Sequence, residues 1–392
     1  MFNFQEEAQS LFPFSQEIRR DFHQHPELGF QEFRTAARVA AELGALGLEV
    51  CTGIAKTGVA AVVEGGRPGP VTMLRVDMDA LPIQEQNDVE YTSCNPGVMH
   101  ACGHDAHTAI GLTVAKMLVK HQANLCGKVK LIFQPAEEAQ GGASQMIADG
   151  ILHEPEVDYV LGVHVWNEKP LGWCAATNGP VMAGADFFKV EIEGKGGHGA
   201  VPHYSIDPVI ATAHLITALN TIVSRNISPL EAGVLSVTKV LAGDAYNVIP
   251  QKAEIGGTIR SFSSQVRETI LQRLVEICEG TAKAFQVQIR PDLTGLALPV
   301  VNDPQVSQWV RNAIESQFPE METSADYRTM GSEDMAFYLK EKPGCFLLIG
   351  SADLDSGKNF PHHHPRFDID ERVMPQAAAI LTAALFEMGD KG

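Results

Sequence analysis

The stretch MHACGHDAH, from Met99 to His107, sets three histidines, one cysteine and one aspartate among small residues. Cys102 and His104 flank a single glycine, which lets the backbone bend tightly. A thiolate and an imidazole so placed suit Zn²⁺ and other transition metals. The same pattern also describes a glycine-containing loop with incidental histidines, so the rest of the chain has to decide between the two.

Three further segments bear on the choice. QPAEEAQGG (134–142) puts Glu137 and Glu138 side by side after an apolar run. They are either a solvated pair at a helix start, where the dipole favours carboxylates, or a metal ligand beside a free base. GVHVW (162–166) places His164 at the end of another apolar run, as a satisfied core histidine or as a ligand. FPHHHPRFDID (360–370) holds three consecutive histidines between prolines that restrict the backbone. Together, four loops at strand ends supply Cys, His, Glu, His and His, enough donors for two metal ions. A serine mechanism has no support, because no G-x-S-x-G motif is present.

The elements that must position these residues are legible as hydrophobic periodicity. Residues 3–24 and 31–47 read as helices, with Leu11, Phe14, Ile18 and Phe22 recurring at three- and four-residue spacing. Strands are predicted at 59–65, 71–77, 128–134 and 159–165, with helices near 106–120 and 142–150. Near-continuously apolar strands alternating with helices indicate an α/β fold, its sheet mostly parallel and covered on both faces. The candidate residues follow these strands, and open α/β sheets bind ligands outside the carboxyl ends of their strands.

From about residue 184 the texture changes. The order of strand (186–194), helix (206–224), strands (232–243 and 252–262), helix (264–285) and strand (285–293) is β-α-β-β-α-β, a ferredoxin-like unit. It reads as a domain at 184–293 inserted into a discontinuous one formed by 1–183 and 294–392.

The 392 residues carry 30 Lys and Arg against 48 Asp and Glu, a formal charge of −18. Nucleic acid and anionic membrane both call for clustered basic residues, so neither is expected as a partner. No apolar run reaches the roughly 18 residues of a membrane span. Seven scattered cysteines do not form a disulfide framework, which points to a reducing, cytoplasmic setting.

The chain resembles the aminoacylase and carboxypeptidase superfamily of co-catalytic metallopeptidases. Within it, the resemblance is to the branch of hippurate hydrolases, N-acyl-amino-acid amidohydrolases and auxin-conjugate hydrolases. RRDFHQHPELGFQE (19–32), RVDMDALPIQE (75–85), MHACGHDAH, IFQPAEE (132–138), GVHVW, GKGGHGAVPH (194–203), GSEDMAFY (331–338) and HHHPRFDID (362–370) carry it. It implies two divalent metal ions, Mn²⁺ or Zn²⁺, with Co²⁺ and Ni²⁺ suiting the same donors. The implied ligands are Cys102, His104, Glu138, His164 and His363, the last being two residues before Pro365. His362 stands where the family usually has an aliphatic residue, and Arg75 where other branches have a ligating histidine. The resemblance makes Glu137 the general base and Asp77 the acid that orients a metal-binding histidine. It makes the inserted unit a lid and dimerisation domain, from which His198 reaches the partner's active site in a homodimer or higher homo-oligomer. Asn247 and Arg260 would grip the substrate carboxylate. The implied reaction is hydrolysis of N-acyl amino acids to a carboxylic acid and a free amino acid. Dipeptides, acetyl-diaminopimelate or auxin conjugates are the alternative substrates, and a non-catalytic metal-binding protein is the alternative class.

Overall fold

A computed structural model describes residues 2–138 and 141–391. The chain divides into two compact units. The first comprises Met1–Val181, Val301–Arg328 and Asp334–Gly392; the second comprises Met182–Val300 and Thr329–Glu333.

The first unit is built on an eight-stranded sheet. Its strands run in the order Val50–Ile54, Gly58–Glu64, Cys126–Gln134, Arg67–Asp77, Tyr159–Pro170, Gly344–Ala352, Trp173–Ala175, Glu322–Ser324. The four central strands are mutually parallel, and antiparallel pairings flank them. Parallel strands buried on both faces need apolar runs, and Leu131, Ile132, Phe133, Leu161, Val163, Leu347 and Ile349 provide them.

Two helices complete this core. His104–His121 packs against the strand Arg67–Asp77 and against the helices Phe12–Gln24 and Val373–Lys391. Being covered nearly all round, it is apolar nearly all round. Val373–Lys391 buries a run of small and branched side chains from Ala377 to Leu385.

Differences from the expected elements have local causes. The first predicted helix is two, Phe4–Ser10 and Phe12–Gln24, because Pro13 sits in the first turn of the second and cannot supply an interior amide. The helix predicted at 206–224 likewise breaks at Asn220 into Pro208–Leu219 and Thr221–Asn226. His164 does not end its strand. Tyr159–Pro170 runs six residues past it, paired on that stretch with Gly344–Ala352.

The second unit carries a four-stranded antiparallel sheet in the order Gly233–Ala242, Lys252–Ser261, Gly184–Glu193, Gln288–Ala297. Its β-α-β-β-α-β connectivity includes the helices Pro208–Leu219 and Ser264–Phe285. Along Gly184–Glu193, Phe188, Val190 and Ile192 are buried while Phe187, Lys189 and Glu191 are exposed, so one face meets the helices.

Candidate metal centre

The strand register brings the first candidates level. Asp77 lies opposite Gln134 and Arg75 opposite Gly162, which places Asp77 beside His164. Cys102 and His104 follow on a tight turn at Gly103. That residue has φ +93°, and a Cβ on it would lie 2.4 Å from Val165 Cγ2. Only glycine meets both conditions.

Donor atoms of Cys102, His104 and His164 all lie within 4.8 Å of one another, as do those of Cys102, Glu138 and His363, and of His104, Glu137 and Glu138. Cys102 and His104 thus link overlapping groups drawn from four separate segments. The ring orientations are set from behind. His104 Nδ1 faces Asp79, 2.9 Å from its carbonyl and 3.2 Å from Oδ1. Its Nε2 is buried without a hydrogen-bond partner. His164 Nδ1 meets the carbonyl of Val165 at 2.6 Å, so its Nε2 is turned to Cys102 Sγ at 3.5 Å. A lone imidazole nitrogen beside a thiol and a carboxylate fits a divalent cation of the Zn²⁺ or Mn²⁺ type.

At His164 the electrostatics point the same way. Burial, reinforced by His107 and His362, holds the His164 ring well below its ordinary range, in the neutral form that ligates. Hydrogen bonds that its ring donates to Cys102 and Glu138 raise His363 to about 10, and its Nε2 is 3.2 Å from Glu138 Oε1. Burial pushes the Cys102 thiol up, and Glu138 adds to that.

His107, the third histidine of the motif, has both nitrogens committed. Its Nδ1 donates to Asp77 Oδ1 at 2.6 Å and its Nε2 accepts the amide of Val165 at 2.9 Å. His362 Nε2 accepts the amide of Asn167 at 3.3 Å, and burial lowers that ring to about 3. His364 Nδ1 accepts the amide of Arg366. Of the three consecutive histidines, His363 shares a close group with Cys102 and Glu138.

Asp79, rather than Asp77, is the acid that meets Nδ1 of His104, and its Oδ2 also accepts the amide of Glu138 at 3.0 Å. Asp77 is engaged by Arg75 and His107, with Oδ2 3.8 Å from His104 Nε2. Burial opposes its charge, but His104, His107 and Arg75 together hold it well below the usual carboxylate range. Arg75 also reaches Asp334, which accepts from Gln134 Nε2 and from the amide of Ala143. The amide of Asp334 in turn donates to Glu137 Oε1 at 3.3 Å.

Two supports escaped the sequence reading. Glu32 is fully buried and accepts the amide of Ala136 at 2.9 Å, fixing the residue before the glutamate pair at φ +54°. Arg19, also fully buried, binds Asp105, Asp368 and Glu371, tying the first helices to the segments that carry His104 and His363. His23 joins it between Asp105 and Glu85. A run such as RRDFH signals a charged helix face; its buried partners lie as far as 352 residues away.

The remaining candidates lie in the second unit. His198 pairs in register with Val248, and the amide of Gly199 donates to Asn247 O at 2.9 Å, so His198 and Asn247 are neighbours. His198 is exposed, and its Nδ1 accepts the amide of Ala200 at 3.1 Å, which leaves the proton on Nε2. Arg260 is half-buried near the end of Lys252–Ser261 and donates to the carbonyl of Ile259.

Comparison with known proteins places these observations. Residues 73–387 match the model of peptidase family M20/M25/M40. The N-acetyl-L-cysteine deacetylase of Bacillus subtilis is 41% identical over 364 residues, covering 93% of this chain and 85% of that protein. The IAA-amino acid hydrolase ILR1-like 4 of Arabidopsis thaliana is 39% identical over 373 residues, covering 93% and 83%. Among solved structures, the YXEP protein of Bacillus subtilis, described as a dinuclear metal binding peptidase, is similar with a TM-score of 0.85. It is 33% identical over 96% of this chain and 98% of its own.

Proposed function

The chain belongs to peptidase family M20/M25/M40 and is a metal-dependent amidohydrolase, and we propose that it cleaves the amide bond of N-acyl amino acids. The observation that supports this reading is the convergence of donors from Cys102, His104, Glu138, His164 and His363, with Glu137 beside them. In this reading the five residues hold two divalent cations, Mn²⁺ or Zn²⁺. Such cations supply Lewis acidity at the carbonyl and lower the pKa of water. A purely storage site would have no use for the additional carboxylate of Glu137.

Glu137 takes a proton from the attacking water and delivers it to the leaving nitrogen, so that water and amide become acid and amine. The Asp334 amide orients it. Asn247 and Arg260 bind the substrate carboxylate. His198, whose Nε2 bears the proton, donates to the developing oxyanion from the partner subunit, with residues 184–293 as the lid and dimerisation domain. A reducing, cytoplasmic location accords with seven unbonded cysteines. No helix among the described residues is long and apolar enough to cross a membrane.

The test is release of free amino acid from N-acetylcysteine, hippurate and an indole-acetyl amino acid, before and after chelation and after return of Mn²⁺ or Zn²⁺. Hydrolysis that depends on metal is expected with at least one substrate. Full activity in verified metal-free protein would refute the mechanism.

A further inference from the structure

We propose that His362 is a positioning residue whose Nδ1–H donates to the sulfur of Cys102, tuning how strongly that thiolate gives electron density to a metal ion. The inference rests on the reading of Cys102 as a ligand.

The tautomer follows from what faces each nitrogen. The backbone amide of Asn167 points at Nε2 from 3.3 Å. An amide N–H only donates, so Nε2 must offer its lone pair, and a neutral ring then carries its proton on Nδ1. Nδ1 lies 3.9 Å from Cys102 Sγ. The ring is held in this pose by its neighbours. Trp166 and Phe367 each lie tilted against it at 5.0 Å, and His164 meets it edge-on at 5.1 Å. A flipped ring would turn a carbon toward the Asn167 amide and forfeit that bond.

Two consequences follow. A nitrogen that bears a proton cannot ligate, so the same geometry that turns His362 to the sulfur removes it from competition with His363. A hydrogen bond to a ligating thiolate draws density off the sulfur, a standard means of tuning a metal site. Leucine at this position would fill the space and lack the donor.

The experiment loads metal-free protein with Co²⁺ and records the thiolate-to-cobalt charge-transfer band of the parent, His362→Leu and His362→Phe. The phenylalanine keeps an aromatic ring between Trp166 and Phe367. Loss of the donor raises the energy of the sulfur electrons, so the band is expected to move to longer wavelength in both variants with cobalt content unchanged. A band that stays in place overturns the proposal, since the Nδ1 proton would then be spent elsewhere. Loss of one cobalt per chain also overturns it, because His362 would be a ligand. A parent without any thiolate band overturns it together with the reading of Cys102, which separates the two failures. If neither variant folds, long-range nitrogen–proton spectra of histidine-labelled, Zn²⁺-loaded parent report the tautomer directly. The Nδ1–H form is expected for His362, and the Nε2–H form would end the proposal.

Discussion

His107 Nδ1 donates to Asp77 Oδ1 at 2.6 Å, while the other oxygen of the same carboxylate takes Arg75 Nη1 at 2.7 Å. Both partners are fully buried. Replacing Asp77 with asparagine strips Arg75 of one of its carboxylates and weakens the compensation of a buried charge. Breaking a buried pair from one side costs roughly 3–5 kcal/mol. Urea unfolding of Asp77→Asn should show a loss of that size, and a loss below about 1 kcal/mol would mean the pairing is incidental.

The two adjacent glutamates should separate by phenotype. Glu137→Gln is expected to keep its metal and lose turnover by roughly 10² to 10⁴ or more, the usual value of an acid–base group. Glu138→Gln is expected to lose metal as well. Metal analysis alongside turnover decides, and identical metal content in the two variants contradicts the division of roles.

Gly103→Ala tests the turn between Cys102 and His104. The left-handed backbone costs an alanine about 1–2 kcal/mol, and the contact with Val165 adds overpacking of about 1–3 kcal/mol. Thermal unfolding should show the sum, and metal content should fall because both neighbouring donors are displaced. A variant with parental stability and parental metal content would mean the turn accommodates a side chain freely.

Stability should fall at alkaline pH through His23. Burial works against its charge, but Asp105 and Glu85 outweigh it and raise the ring from 6.5 to about 9. A raised pKa contributes fully below the unfolded value of about 6.5 and is lost as pH rises through about 9, for a change of roughly 3 kcal/mol. Urea unfolding at about pH 6 and about pH 10 should show this decline in the parent. An equal decline in His23→Gln would assign it to other groups.

The trans role of His198 is open to complementation. His198→Ala should be nearly inactive, down by about 10² to 10³ for one lost oxyanion donor, yet folded and metal-loaded. Mixed with Glu137→Gln and allowed to exchange subunits, each hybrid dimer would hold one intact site if His198 works across the dimer. Activity should then reappear. No recovery, with exchange verified by mass, would place His198 in its own subunit's site or in none.

Much of this site was legible before any fold was known. The glutamate pair sits in a loop directly after the apolar strand Cys126–Gln134, and Cys102 and His104 flank a glycine at the start of the helix His104–His121, where residue type and position speak together. His363 was harder to single out, since three histidines in a row differ only in where the backbone sends them; φ of +65° at His363 is a property of the folded turn. The role of His107 was not legible, because its two partners, Asp77 and the Val165 amide, are 30 and 58 residues distant. Asp79 and Glu32 act by accepting backbone amides, which leave no trace in residue type. Strands such as Trp173–Ala175 and Glu322–Ser324 have three residues each, too few for alternation to show. In the second unit the strand Gly184–Glu193 was legible because its residues alternate between buried and exposed.

The order in which a ribosome makes this chain gives the architecture a schedule. The helix Val373–Lys391 fills the centre of the first unit, and the amide of His363 is fastened to the carbonyl of Ala101 at 2.8 Å. Both are synthesised after nearly everything they hold together. Residues 1–181 therefore emerge with an unfinished core and an unfinished donor set, while 182–300 follow as one uninterrupted stretch able to assemble first. In this architecture the candidate donor set is complete only once His363 has been made and fastened to Ala101.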